Sequence, residues 1–181
     1  MSRVPLMLVA LLGMAALAAC EQDVAEAPPK PHELTADAIG HYCGMSLLEH
    51  TGPKGQIILA SRAEPIWFSS ARDAVAFTKL PEEPKDIRGI YVSDMAKAPS
   101  WDHPGQNNWI DARQAFFVIG SSAKGGMGAA ETVPFSQRSE AERFSAERGG
   151  RVVIFDDIPR DYVLGSDQGA NESGGVSARQ R

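Results

Sequence analysis

The chain of 181 residues has only two cysteines, Cys20 and Cys43, so no disulfide framework holds it together. It has no excess of positive charge: 18 Lys+Arg stand against 23 Asp+Glu, a formal net charge of −5. Contact with phosphates needs concentrated Lys and Arg, so no nucleic-acid partner is expected. There is no His-x-x-x-His or paired Cys-x-x-Cys to hold zinc, and no glycine-rich phosphate loop follows a strand. The longest uncharged apolar run falls short of the about 20 residues a transmembrane helix needs. With 43% hydrophobic and 23% charged residues the composition is that of a folded protein, not a disordered one.

That apolar run is itself informative. Arg3 precedes sixteen uncharged residues, 4–19, a length that suits a secretory signal. The run ends Leu17-Ala18-Ala19-Cys20, which resembles the lipobox at which lipoprotein signal peptidase cuts. An ordinary signal peptide with an incidental cysteine is the competing reading. It is disfavoured because Cys20 follows the small residues directly and a polar stretch begins right after it. Removal of residues 1–19 leaves 17 basic and 23 acidic residues, net −6. Three methionines survive, Met45, Met95 and Met127, and lipidation of Cys20 leaves Cys43 as the one thiol. An odd thiol in an oxidising compartment calls for a use.

The mature chain reads as an α+β protein of two similar small ββαβ domains. Residues 20–36 are the lipidated cysteine and a polar, Pro-rich, flexible tether. Residues 37–95 form the first domain and 96–164 the second, and the Gly/Ser/Asp/Gln-rich tail 165–181 is expected to be disordered. In the first domain, strands over 56–60 and 66–68 precede a helix over 71–80, N-capped by Ser69 or Ser70 and stopped by Pro81 and Pro84, and then a strand over 87–92. In the second, strands over 115–120 and 131–135 precede a helix over 140–147, ended by Gly149-Gly150, and a strand over 151–155. Phe68 and Phe135, Ala74 and Ala141, and Phe77 and Phe144 share one offset of 67 residues, which suggests an internal duplication.

Three segments are candidates for chemistry. Cys43 lies in His41-Tyr42-Cys43-Gly44-Met45, where a thiol and a thioether two residues apart can turn back onto one ion. Both are soft donors, which select Cu(I) over hard cations. Met127 lies in Gly125-Gly126-Met127-Gly128, with no local apolar support for burial. His41 is a further candidate ligand, and a solvated loop histidine is its plainer reading. A lone methionine is ordinarily core filler. That fits Met95, which follows a strand, better than Met127. A thiol enzyme is the rival reading, because His41, His50 and His103 supply candidate bases, although no local signature surrounds Cys43. A structural lipoprotein without metal is the other. Trp101, His103, Asn107-Asn108 and Trp109 fall in a polar loop that suits either a partner surface or packing between the halves.

Taken together, several segments resemble the NosL family, the accessory lipoproteins of nitrous oxide reductase. They are the lipobox, Cys43-Gly44-Met45 with Gly52-Pro53-Lys54-Gly55, Phe68-Ser69-Ser70, and Tyr91-Val92-Ser93-Asp94-Met95. To these are added Trp109-Ile110-Asp111-Ala112, Val118-Ile119-Gly120-Ser121, and Met127-Gly128-Ala129 with Pro134-Phe135. The resemblance spans roughly residues 37–160, in order. It implies a periplasm-facing lipoprotein of two ββαβ domains, not an enzyme, that binds Cu(I). It further implies copper delivery to apo nitrous oxide reductase for its copper-sulfide cluster, in denitrification. Carried over residue by residue, it points to Cys43, Met45 and Met127 as ligands and Cys20 as the lipid site, with Met95 on a motif but expected in a structural place. Many members carry a second cysteine three residues before the Cys-Gly-Met cysteine, where this chain has Gly40. The implied partners are the apo reductase, the membrane through the lipid, and copper-delivering proteins. Because Glu21, not Asp, follows Cys20, an outer-membrane anchor is expected.

Overall fold

A computed structural model describes residues 27–165. The signal segment, Cys20 and the tail beyond Gly165 lie outside the described residues. The two strand–strand–helix–strand units are present. In the first, β1 (Gly55–Leu59) and β2 (Ile66–Phe68) precede α1 (Ala71–Lys79) and β3 (Ile87–Ser93). In the second, β5 (Phe116–Ile119) and β6 (Val133–Phe135) precede α2 (Arg138–Arg148) and β7 (Arg151–Ile154). Between them lies a short strand, β4 (Trp109–Asp111), and a one-turn helix, α3 (Arg160–Leu164), ends the described chain. All pairings between these strands are antiparallel, in the orders β2-β1-β3-β4 and β6-β5-β7. Phe68 stands opposite Gly55 and Phe135 opposite Phe116, so each member of this offset pair faces the first residue of its central strand.

The first sheet takes its fourth strand from the segment expected in the second unit. β4 pairs with β3 through Tyr91↔Asp111, Val92↔Ile110 and Ser93↔Trp109. The main core also crosses that expected boundary. It joins Ile57, Phe68, Phe77 and Ile90 to Phe117, Ile119, Phe155 and Ile158. A smaller cluster, Val118, Val133, Phe135 and Ala141, lies on the other face of the second sheet with Met95, Trp101 and Phe144 against it. Trp101 accordingly packs at the junction: it stacks on Phe144, its carbonyl accepts from the Gly52 amide at 2.8 Å, and its ring covers Gly52.

The described part of the expected tether, from residue 27, is held against the body. The Tyr91 hydroxyl donates to the Pro29 carbonyl. Gln56 pairs with the His32 backbone, accepting at 2.8 Å and donating at 2.9 Å. The Leu34 amide donates to Gln106, and buried Leu34, Ala38 and Leu47 pack with Trp67 and Trp109 over the sheet. Backbone groups too close to the sheet to be hydrated must find partners, and Gln56 supplies them with a side chain.

α1 starts where three different segments satisfy its free amides. Ala71 donates to the Pro53 carbonyl at 3.1 Å, Arg72 to the Glu131 carboxylate at 2.8 Å, and Asp73 to the Ser70 hydroxyl at 3.0 Å. A serine N-cap alone contributes about 1 kcal/mol. Here the second unit adds a carboxyl oxygen that satisfies another free amide of the same helix end.

Candidate metal centre

Cys43 sits on a closed turn. The Gly40 amide donates to the Met45 carbonyl at 2.9 Å and the Gly44 amide to the Gly40 carbonyl at 2.8 Å, while the His41 amide fixes the turn to Trp67 at 2.7 Å. The thiol folds back over Gly40, where an added Cβ would lie 2.5 Å from Sγ. A side chain at position 40 would therefore push the sulfur outward. The chain then makes a single 3-10 turn over Leu47–Glu49 that delivers His50, whose amide donates to the Leu47 carbonyl. The result is Cys43 Sγ 3.7 Å from His50 Nε2, with the thiol half-buried and the imidazole 6% exposed.

The second unit approaches the same imidazole. A hairpin, closed by the Lys124↔Ala130 bridge and by Gly125 and Gly128 amide bonds, carries Met127 at its tip. Gly126 lies directly on His50, since an added Cβ there would stand 2.6 Å from His50 Cβ and 3.1 Å from Nδ1. Met127 is 56% exposed and Met45 40% exposed, unusual for a side chain that ordinarily fills cores. Met127 follows the glycine that rests on His50, and Met45 stands two residues after Cys43, on the same closed turn.

The other candidates are placed elsewhere. His41 has its Nε2 3.7 Å from Glu83 and its ring edge-on to Phe68 and Phe77. Met95 packs against the Val118–Val133–Phe135 cluster and its amide donates to Pro134. Cys20 lies outside the described residues. His50 was visible in the sequence only as a candidate base.

Behind the hairpin, Lys54 and Glu131 are both buried, at 2% and 1% exposure. The Lys54 ammonium donates to the Thr51 and Gly52 carbonyls at 3.0 and 2.6 Å. Burial lowers its pKa to about 8, against a smaller opposing pull from Glu131. Burial likewise pushes the Glu131 carboxyl up to about 8, although the Arg72 and Thr132 amides bond to it. The sign of the consequence is definite. Between 4.5 and about 8 the folded protein holds the Glu131 proton that the unfolded chain has released, so stability falls as pH rises through that window. The slope from this group is at most about 1.4 kcal/mol per pH unit. Urea unfolding across the window should show the parent losing stability relative to Glu131→Gln, which cannot ionise. Parallel curves for the two proteins would exclude a buried, protonated Glu131.

Fold and site together define a class: an α+β protein of two antiparallel sheets that sets a half-buried thiol beside an imidazole, with a methionine-bearing hairpin of the second sheet resting on that imidazole. A family profile described as NosL matches residues 31–163. The copper-binding lipoprotein NosL of Achromobacter cycloclastes is 49% identical over 152 residues, covering 83% of this chain and 78% of that protein. The protein of the same description from Stutzerimonas stutzeri is 32% identical over 136 residues, 75% of this chain and 68% of its own. The crystal structure of the copper chaperone NosL from Shewanella denitrificans superposes with a TM-score of 0.68 at 36% identity, covering 74% of this chain and 98% of that one. The chain belongs to the NosL family. These relatives are named for copper binding and a chaperone role, not for an enzyme.

Proposed function

We propose that the protein is a lipid-anchored, periplasm-facing Cu(I) carrier that hands copper to apo nitrous oxide reductase. The observation that carries the copper reading is the Cys43–His50 pair at 3.7 Å with the Met127 hairpin seated on His50 through Gly126. Thiolate and thioether are soft donors and imidazole suits copper, so Cu(I) is the fitting cargo. On binding, the Cys43 thiol gives up its proton to solvent and its sulfur becomes an anionic donor. Met45 and Met127 contribute neutral thioethers that bind more weakly. A donor or imidazole of the recipient can enter on the exposed thioether side before Cys43 releases the ion. No electron changes hands in this exchange.

The surface around the site suits docking. Among the described residues, five of the six exposed large apolar side chains lie on the Cys43 segment or the hairpin: Ile39, Tyr42, Met45, Leu48 and Met127. Apolar side chains left exposed on these two segments suit a face that a partner covers. The identity of the recipient is carried by the family resemblance. The test is to mix anaerobic, Cu(I)-loaded protein with apo reductase, separate the two, and measure copper and activity in the reductase. Copper should move and activity appear; retention of copper by the carrier, with the reductase activated equally by free Cu(I), would exclude the delivery role.

The membrane attachment extends from the name of the relatives to this chain through Cys20. No helix among the described residues is long and apolar enough to cross a membrane. A Cys20→Ala variant should accumulate as unprocessed precursor, and membrane fractionation of the parent should place it in the outer membrane, as Glu21 implies. A variant cut to mature size would contradict lipidation at Cys20.

A further inference from the structure

We propose that Glu131 is the positioning residue that sets the Met127 hairpin against the Cys43–His50 pair. This rests on the copper-carrier reading for its purpose, but its geometry stands by itself. Glu131 is buried from every side. One carboxyl oxygen, Oε1, accepts from the Arg72 amide at the start of α1 at 2.8 Å and from the Thr132 amide at 2.9 Å. Its backbone carbonyl accepts from the Tyr162 hydroxyl at 2.8 Å, and its amide donates to Ala123. Glu131 is thereby held to the first unit's helix by its carboxyl and, by its backbone carbonyl, to the last helical turn among the described residues.

The other oxygen, Oε2, has no hydrogen-bond partner and points at the hairpin. An added Cβ on Gly125 would lie 2.5 Å from it and 3.5 Å from Ser70 Cβ. The next residue, Gly126, is the one that rests on His50. Two successive glycines therefore seat the hairpin, one on the Glu131 carboxyl and one on the imidazole, and Met127 follows immediately. The carboxyl's depth fixes how far the hairpin sinks, and with it where the thioether stands relative to the donor pair. A buried polar oxygen left without a partner costs free energy. Its retention against the hairpin is explained if the seat it forms has a use. Glu131 acts through Met127 and does not touch the ion.

A double-mutant cycle in Cu(I) affinity separates this role from a general structural one. Glu131→Ala should weaken binding about tenfold, about as much as Met127→Leu does, and the double variant should lose no more than either alone. Glu131→Gln, which keeps the shape and the acceptor for Arg72, should bind close to the parent. If Glu131→Ala does not fold, Gly125→Ala makes the same test from the hairpin side, because its methyl group must displace the hairpin from an intact Glu131. Its loss should likewise vanish in a Met127→Leu background. A second readout needs no copper: amide hydrogen exchange across residues 124–130 of the apo protein should quicken in Glu131→Ala or Gly125→Ala and not in Glu131→Gln. Losses that add to that of Met127→Leu, or hairpin exchange equal to the parent's, would overturn the proposal. If the parent itself binds no Cu(I), the carrier reading fails, and the exchange experiment still decides whether Glu131 seats the hairpin.

Discussion

Cys43→Ser should abolish stoichiometric Cu(I) binding while leaving the fold intact. Serine is nearly isosteric with cysteine but puts a hard, neutral hydroxyl where the site has its one anionic soft donor. Loss of a mere supporting group around a metal costs about 10- to 100-fold in affinity, so loss of the thiolate itself should exceed that range. The cost to folding should be below about 1 kcal/mol, because Cys43 is half-buried and its polar contact among the described residues is His50. Competition with a Cu(I) chelator under anaerobic conditions reads the first effect, and thermal unfolding of the apo protein reads the second. Retained tight binding in a folded Cys43→Ser protein would remove Cys43 from the site.

The methionines give the second large effect. Met127→Leu should lower Cu(I) affinity at least about tenfold, or about 1.4 kcal/mol, with less than about 1.5 kcal/mol lost in folding. The folding cost is small because the side chain is 56% exposed at a hairpin tip. Met95→Leu should do the reverse in kind: copper binding close to the parent, and a small packing cost among Val118, Val133 and Phe135. Two variants of one residue type thus separate a donor from a filler. If Met95→Leu weakens copper and Met127→Leu does not, the two roles are exchanged.

Much of the architecture was legible because it rests on local periodicity. The alternating and apolar runs marked β1 to β3 and β5 to β7, and α1 and α2 fall within two residues of where caps and breakers put them. The shared offset of Phe68 with Phe135 and of Ala74 with Ala141 has a physical basis. The phenylalanines pair with the first residue of each central strand, and both alanines are fully buried where helix meets sheet. What was not legible is what depends on distant partners. β4 is three half-buried residues at a sheet edge, too short to show a period. The segment around Pro29 to Leu34 reads as tether by composition, and distant partners make it part of the body: Gln56, Tyr91 and Gln106 by hydrogen bonds, Trp67 and Trp109 by packing. At the site, Cys43, Met45 and Met127 stood out as soft donors in glycine-containing loops. His50 did not, because a histidine's role is set by what it faces, and the thiol and Gly126 come to it only through the turn at Leu47 and the hairpin. Glu131 gave no signal at all: nothing in its neighbours foretells a buried carboxyl.

X-ray absorption at the copper edge, on protein loaded with one Cu(I) per chain, tests the central claim most directly. A first shell of mixed sulfur and nitrogen is expected, with the nitrogen lost in His50→Gln and part of the sulfur lost in Met127→Leu. A shell of sulfur alone, unchanged by His50→Gln, would show that the ion does not sit between Cys43 and His50.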